Sequence, residues 1–100
     1  MTINDADSAR IFVQDWNREV IHPTLASART TLPNILAARL RSNARRFRRC
    51  AESQQRCAGL TRLLQPTRSD GHLAAIAVLH AAAEQNEVEA TRMEAADAHP

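Results

Sequence analysis

Between Pro33 and Pro66 the chain contains no proline, and the residues at alternating intervals of four and three form one series. Leu36, Leu40, Asn43, Phe47, Cys50, Gln54, Cys57, Thr61 and Leu64 follow that rhythm, which only a helix gathers into a single seam. The segment 32–64 is therefore predicted to be one helix of about 33 residues, about 50 Å long. A compact chain of this size has no room for such a rod, so an elongated antiparallel hairpin is expected. The seam is polar for its kind: Asn43, Gln54 and Thr61 stand where leucine would stabilise more, and such residues often fix register or oligomeric state. Gly59 costs roughly 1 kcal/mol relative to alanine inside a helix and marks where a break would fall.

Punctuation on either side defines two further helices. Asp5, Asp7 and Ser8 offer N-caps to a first one, in which Ala9, Phe12, Val13, Trp16 and Val20 share a face. His22-Pro23 breaks or kinks it, because proline removes a backbone donor and disfavours helix in the residue before it. A short further turn over 25–29 is allowed, and Thr30 and Thr31 followed by Pro33 form the next helix start. Pro66 is expected to end the long helix, with a turn over 65–71 and Ser69 or Asp70 as the next cap. The third helix then runs over about 71–96. Its first half is apolar on all sides, since Ile76 and Val78 project nearly opposite each other with Leu73, Leu79 and alanines between. The predicted architecture is all-α: a hairpin of helices 32–64 and 71–96 with an N-terminal amphipathic helix, in a three-helix or oligomeric bundle. It forms one domain over 1–100, comprising 1–31, the hairpin 32–98 and a frayed tail 97–100.

Composition supports the helices and limits the core. Of the 100 residues 44 are apolar, yet 19 of these are alanine, and tyrosine is absent. Strand formers are scarce, which argues against β and α/β folds. The interior is thin for a chain standing alone, so association is expected, and Leu73, Ile76 and Leu79 on the third helix together with Phe47 and Trp16 are expected to form the core or an oligomer interface.

Charge is distributed more unevenly than the formal total of +2 suggests. Residues 1–34 carry net −1, residues 35–69 carry +8, and residues 70–100 carry −5. All 13 basic residues are arginine, whose planar fork suits phosphates and carboxylates. Projected from the seam, Arg41, Arg45, Arg48, Arg49 and Arg56 point outwards, over about 120° to 220° from Leu36. Arg39 and Arg46 flank the seam and are expected to reach acids of the third helix. The outer stripe is left for solvent, for first-helix acids such as Asp15 and Glu19, for an acidic protein surface or for nucleic-acid phosphates.

No catalytic, cofactor or metal motif is recognisable. Two glycines in the chain exclude a glycine-rich phosphate loop. Cys50 and Cys57 lie two helical turns apart, about 10 Å along one helix, too far to bond each other or to share a metal. They read as small, largely buried hydrophobes. His80 could approach them across the hairpin, but no close-spaced ligand pair anchors a site there. The N-terminus has no signal-peptide pattern, and the longest apolar run, 73–83, is too short to span a bilayer. A cytoplasmic protein without a membrane role is expected. The expected function is that of a non-enzymatic helical interaction protein, a small subunit, adaptor or inhibitor, acting by self-association or by docking on a larger assembly. The alternative is a nucleic-acid-associated subunit whose arginines track the phosphate backbone.

Overall fold

The computed structural model describes residues 3–21, 33–64 and 66–98. They form three α-helices: α1 over Ala6–Ile21, α2 over Pro33–Leu64 and α3 over Pro66–Ala98. No strand occurs among the described residues. The chain is an all-α helical bundle in which α2 and α3 pair as the long hairpin and α1 lies against both. The expected break at His22-Pro23, the turn over 25–29 and the threonine caps fall outside the described residues.

The start of α1 follows from its cap. Asp5 Oδ1 accepts a hydrogen bond from the Ser8 amide at 2.8 Å, and Ser8 Oγ in turn accepts from the Asp5 amide at 3.2 Å. This reciprocal box satisfies donors that a helix start leaves without partners. The amide hydrogen bond also holds the Asp5 carboxyl below its ordinary value.

The hairpin is built on alanine to an extent the larger residues did not signal. On α2 the buried residues are Ala37, Leu40, Asn43, Ala44, Phe47, Ala51, Gln54 and Ala58. Leu40, Asn43, Phe47 and Gln54 belong to the expected seam, but the alanines, spaced by seven, lie one residue beyond Leu36, Asn43, Cys50 and Cys57. Facing them on α3 are Ala75, Leu79, Ala83, Asn86 and Ala90, all buried. Small side chains at the contact allow two helices to lie close together along their whole length. The expected seam ends early: Leu64 is 82% exposed. Gly59 does not interrupt α2, and no atom lies within 4 Å of where its Cβ would be.

The third helix begins at Pro66, not at Gly71. Proline is well tolerated in the first turn, where its missing N–H would have had no helical partner and its fixed φ already suits the helix. Gly71 therefore serves a different purpose from the one its turn-like neighbourhood implies. A Cβ there would stand 2.5 Å from the Asn4 carbonyl oxygen, so glycine lets the chain before α1 lie directly against α3. From that point α1 runs parallel to α3 until Asn17 meets Asn86.

The apolar girdle of α3 is divided between two neighbours. Phe12 and Val13 of α1 pack with Ala75, Leu79 and Ala83 of α3 and with Phe47 and Ala51 of α2, and the Phe12 and Phe47 rings meet edge to face at 6.0 Å. A second cluster of Ala37, Leu40 and Ala90, with Leu36 and Met93 against it, closes the other end of the hairpin. Between these clusters lies a buried polar knot with one asparagine from each helix. Asn17 Oδ1 accepts from Asn43 Nδ2 at 3.1 Å and from Asn86 Nδ2 at 2.9 Å, and Asn17 Nδ2 donates to Asn86 Oδ1 at 3.0 Å. Asn43 Nδ2 also donates to the Trp16 carbonyl at 3.1 Å, and Asn86 Nδ2 reaches the Leu40 carbonyl at 3.4 Å. Such a knot is satisfied in only one axial position of the three helices, so it sets their register.

Candidate interaction surface

The outermost strip of α2 is determined by what its inner face must do. With Phe47 and its row turned inwards, residues half a turn away face solvent. Projected at about 100° per residue, Arg45, Arg49, Arg56, Leu60 and Leu63 fall within about 60° of one another, opposite Phe47. All five are exposed. Leu60, Leu63 and Leu64 are exposed to 67%, 83% and 82%, and their spacing of three and four makes them one ridge. Glu52, the only acid of α2, lies in the same strip between Arg49 and Arg56.

The five arginines expected to point outwards do not behave alike. Arg41 reaches across the hairpin to Glu94, with Nη2 at 2.5 Å and Nε at 3.0 Å from Oε1, and Nη2 also donates to Thr91 Oγ1 at 3.1 Å. Arg48 holds Glu87 with both nitrogens, Nε at 3.1 Å and Nη2 at 3.0 Å. That bond keeps the Glu87 carboxyl below its ordinary value and raises the arginine. Long side chains reach around the helix from positions that a projection of Cα atoms places on the outside. Among the described residues, Arg45, Arg49 and Arg56 make no ion pair, so the stripe of five becomes one of three.

The residues expected to reach α3 from the flank are placed differently too. Arg39 is exposed and makes no ion pair among the described residues. Arg46 turns instead towards α1, its guanidinium carbon 3.6 Å from the Trp16 ring centre. Its Nε is buried there with no hydrogen-bond partner among the described residues. Trp16 remains 38% exposed, held between this stack and an edge contact with Phe12 at 6.5 Å.

Of the expected association residues, Phe47 and Leu79 are fully buried within the chain and cannot also face a partner. Ile76 packs against the first core cluster and is half-buried, while Leu73 is 44% exposed. The helix that looked too apolar for one neighbour has two, and what remains outward on it is chiefly Ala74, Ala77 and Ala81.

Cys50 packs against the core cluster and Cys57 is half-buried; both are free thiols. Burial pushes the Cys50 thiol up, with Arg46 and Arg49 opposing it more weakly. His72 Nδ1 lies 2.5 Å from Gln54 Oε1, its carbonyl acceptor, so Gln54 is satisfied across the hairpin rather than left as a defect in the seam. Among the described residues no three metal-ligating side chains come together. No described helix is long and apolar enough to cross a membrane.

Sequence reasoning missed Asn17, Asn86 and the leucine ridge. Asn17 stands four residues after Val13 and eight after Ala9, on the inner side of α1; Asn86 stands seven after Leu79. Those intervals are the signal by which both could have been found, once polar residues were admitted to the buried rows. No protein-family model matches the chain, and neither a curated protein nor a solved structure matches it.

Proposed function

We propose that the chain is a non-enzymatic helical interaction protein, a small subunit, adaptor or inhibitor, that acts by self-association or by docking on a larger assembly. The observation that carries this reading is the ridge of Leu60, Leu63 and Leu64, left in solvent at the end of α2 while alanines fill the interior. Exposed leucines are unremarkable singly; three on one ridge of so small a protein form a contact surface. The experiment is a mass measurement in solution over a range of concentrations, with capture of bound proteins from an extract of the source cells. Replacing Leu60, Leu63 and Leu64 together by glutamine should abolish concentration-dependent association or capture. A wild-type chain that stays monomeric and captures nothing the variant does not would overturn the proposal.

A second reading, a nucleic-acid-associated subunit, draws on the exposed Arg45, Arg49 and Arg56. Three phosphate contacts imply a logarithmic salt slope of about −2.7 on duplex DNA, which retention at graded salt would measure.

A further inference from the structure

Resting on the interaction reading, we infer that the outer strip of α2 is a docking surface for an acidic amphipathic helix belonging to another protein. From Arg45 to Leu63 the strip rises about 27 Å, the length of an 18-residue helix laid alongside. It changes character along that length: Arg45, Arg49 and Arg56 come first, then Leu60, Leu63 and Leu64. A ligand that satisfies both parts carries carboxylates along one face and apolar side chains at one end of it. Carboxylates suit the arginine fork, and the leucine ridge supplies the apolar contact from which most affinity comes. The surroundings strengthen the charge selection, because residues 53–69 contain three arginines and no acid.

Other occupants leave part of the strip unexplained. A second copy meeting the same face lengthwise brings arginines against arginines when parallel and against leucines when antiparallel, while Glu87 and Glu94 are already held by Arg48 and Arg41 within the chain. A nucleic-acid backbone would use the arginines but leaves the leucines idle. A lipid surface entered by the leucine end leaves Arg45 more than 20 Å from the headgroups by helix rise alone.

The test uses the full chain and a fluorescent, end-blocked 18-residue peptide. One helical face of the peptide carries three glutamates followed by three leucines, and a same-composition peptide with that order scrambled is the control. Polarisation should show binding of the ordered peptide over the scrambled one. Affinity should fall about tenfold or more when Arg45, Arg49 and Arg56 become glutamine, and again when the three leucines do. Helix content of both variants, read by circular dichroism, should match the wild type. A 20-base-pair duplex and phosphatidylserine vesicles should bind more weakly than the ordered peptide. Equal binding of both peptides, no binding, unchanged affinity in the variants, or preference for duplex or vesicles would overturn the inference. If the peptide fails while the leucine variant still loses association or capture, the acidic partner falls and the interaction reading stands. If the leucine variant changes nothing in either experiment, both fall.

Discussion

The two glycines of this chain should respond in opposite ways to the same substitution. Gly71→Ala places a methyl group 2.5 Å from the Asn4 carbonyl, a backbone atom with no flexible end to yield, so the segment before α1 must lift from α3. A loss of about 1–3 kcal/mol in urea unfolding is expected. Gly59→Ala meets nothing, lies inside a helix and removes freedom from the unfolded chain, so a gain of up to about 1 kcal/mol is expected. The asparagine knot makes a second prediction at this scale. Asn86→Ala removes partners from Asn17 in a buried site and should cost about 1–3 kcal/mol, whereas an exposed change such as Gln85→Ala should stay within about 0.5 kcal/mol. The Gly59 cost was legible in the sequence; the effects at Gly71 and at the asparagine knot were not. Gly71 stands among turn-forming residues and reads as a turn, and its close approach to Asn4 depends on a segment almost seventy positions away. Asn43 could be recognised as a polar residue in a buried row, but its partners come from two other helices, and only the assembled fold brings them together.

Among the elements, α2 shows most clearly what periodicity does and does not reveal. Its existence, start and end follow from the absence of proline and the four-three rhythm. Leu40, Asn43, Phe47 and Gln54 are buried seam residues in both the sequence reading and the structure. Elsewhere the seam was displaced by one residue, because Leu36, Cys50 and Cys57 are larger than the alanines next to them and attract the eye of any pattern search. Close packing favours the alanines, and the larger neighbours turn towards α1 or the flank. The arginines taught a related lesson, since Arg41 and Arg48 reach α3 acids that a Cα projection assigns to others. Their pairing has a pH signature. Glu87 is held below its ordinary value of about 4.5 in the folded chain, so the unfolded chain takes up its proton first as pH falls. The stabilisation is fully present above about pH 4.5 and is lost as pH drops through the lowered folded value. Thermal midpoints of wild type and Glu87→Gln should therefore differ at pH 6, and the gap should narrow as pH falls below about 4.5. A gap that does not narrow in acid would assign the Glu87 contribution to packing instead.

The described residues form a flat rod of 55 × 25 × 14 Å with a radius of gyration of 16.0 Å, against about 13 Å for a compact chain of about 100 residues. The elongated hairpin was foreseen from the length of one helix. The location of the surface left for a partner was not: Phe47 and Leu79 were expected in the core or at an oligomer interface, and α1 completes their burial in the core. With the interior closed by three helices of one chain, the leucine ridge on α2 is surplus to the fold. Urea unfolding of the chain with Leu60, Leu63 and Leu64 all changed to glutamine, at concentrations where the wild type is monomeric, measures whether it is. Glutamine has nearly the helix propensity of leucine, so only lost burial can register. An unfolding free energy within about 0.5 kcal/mol of wild type per position and an unchanged dependence on urea are expected. A fall of several kcal/mol, of the size seen when core leucines are truncated, would show instead that the ridge belongs to the fold.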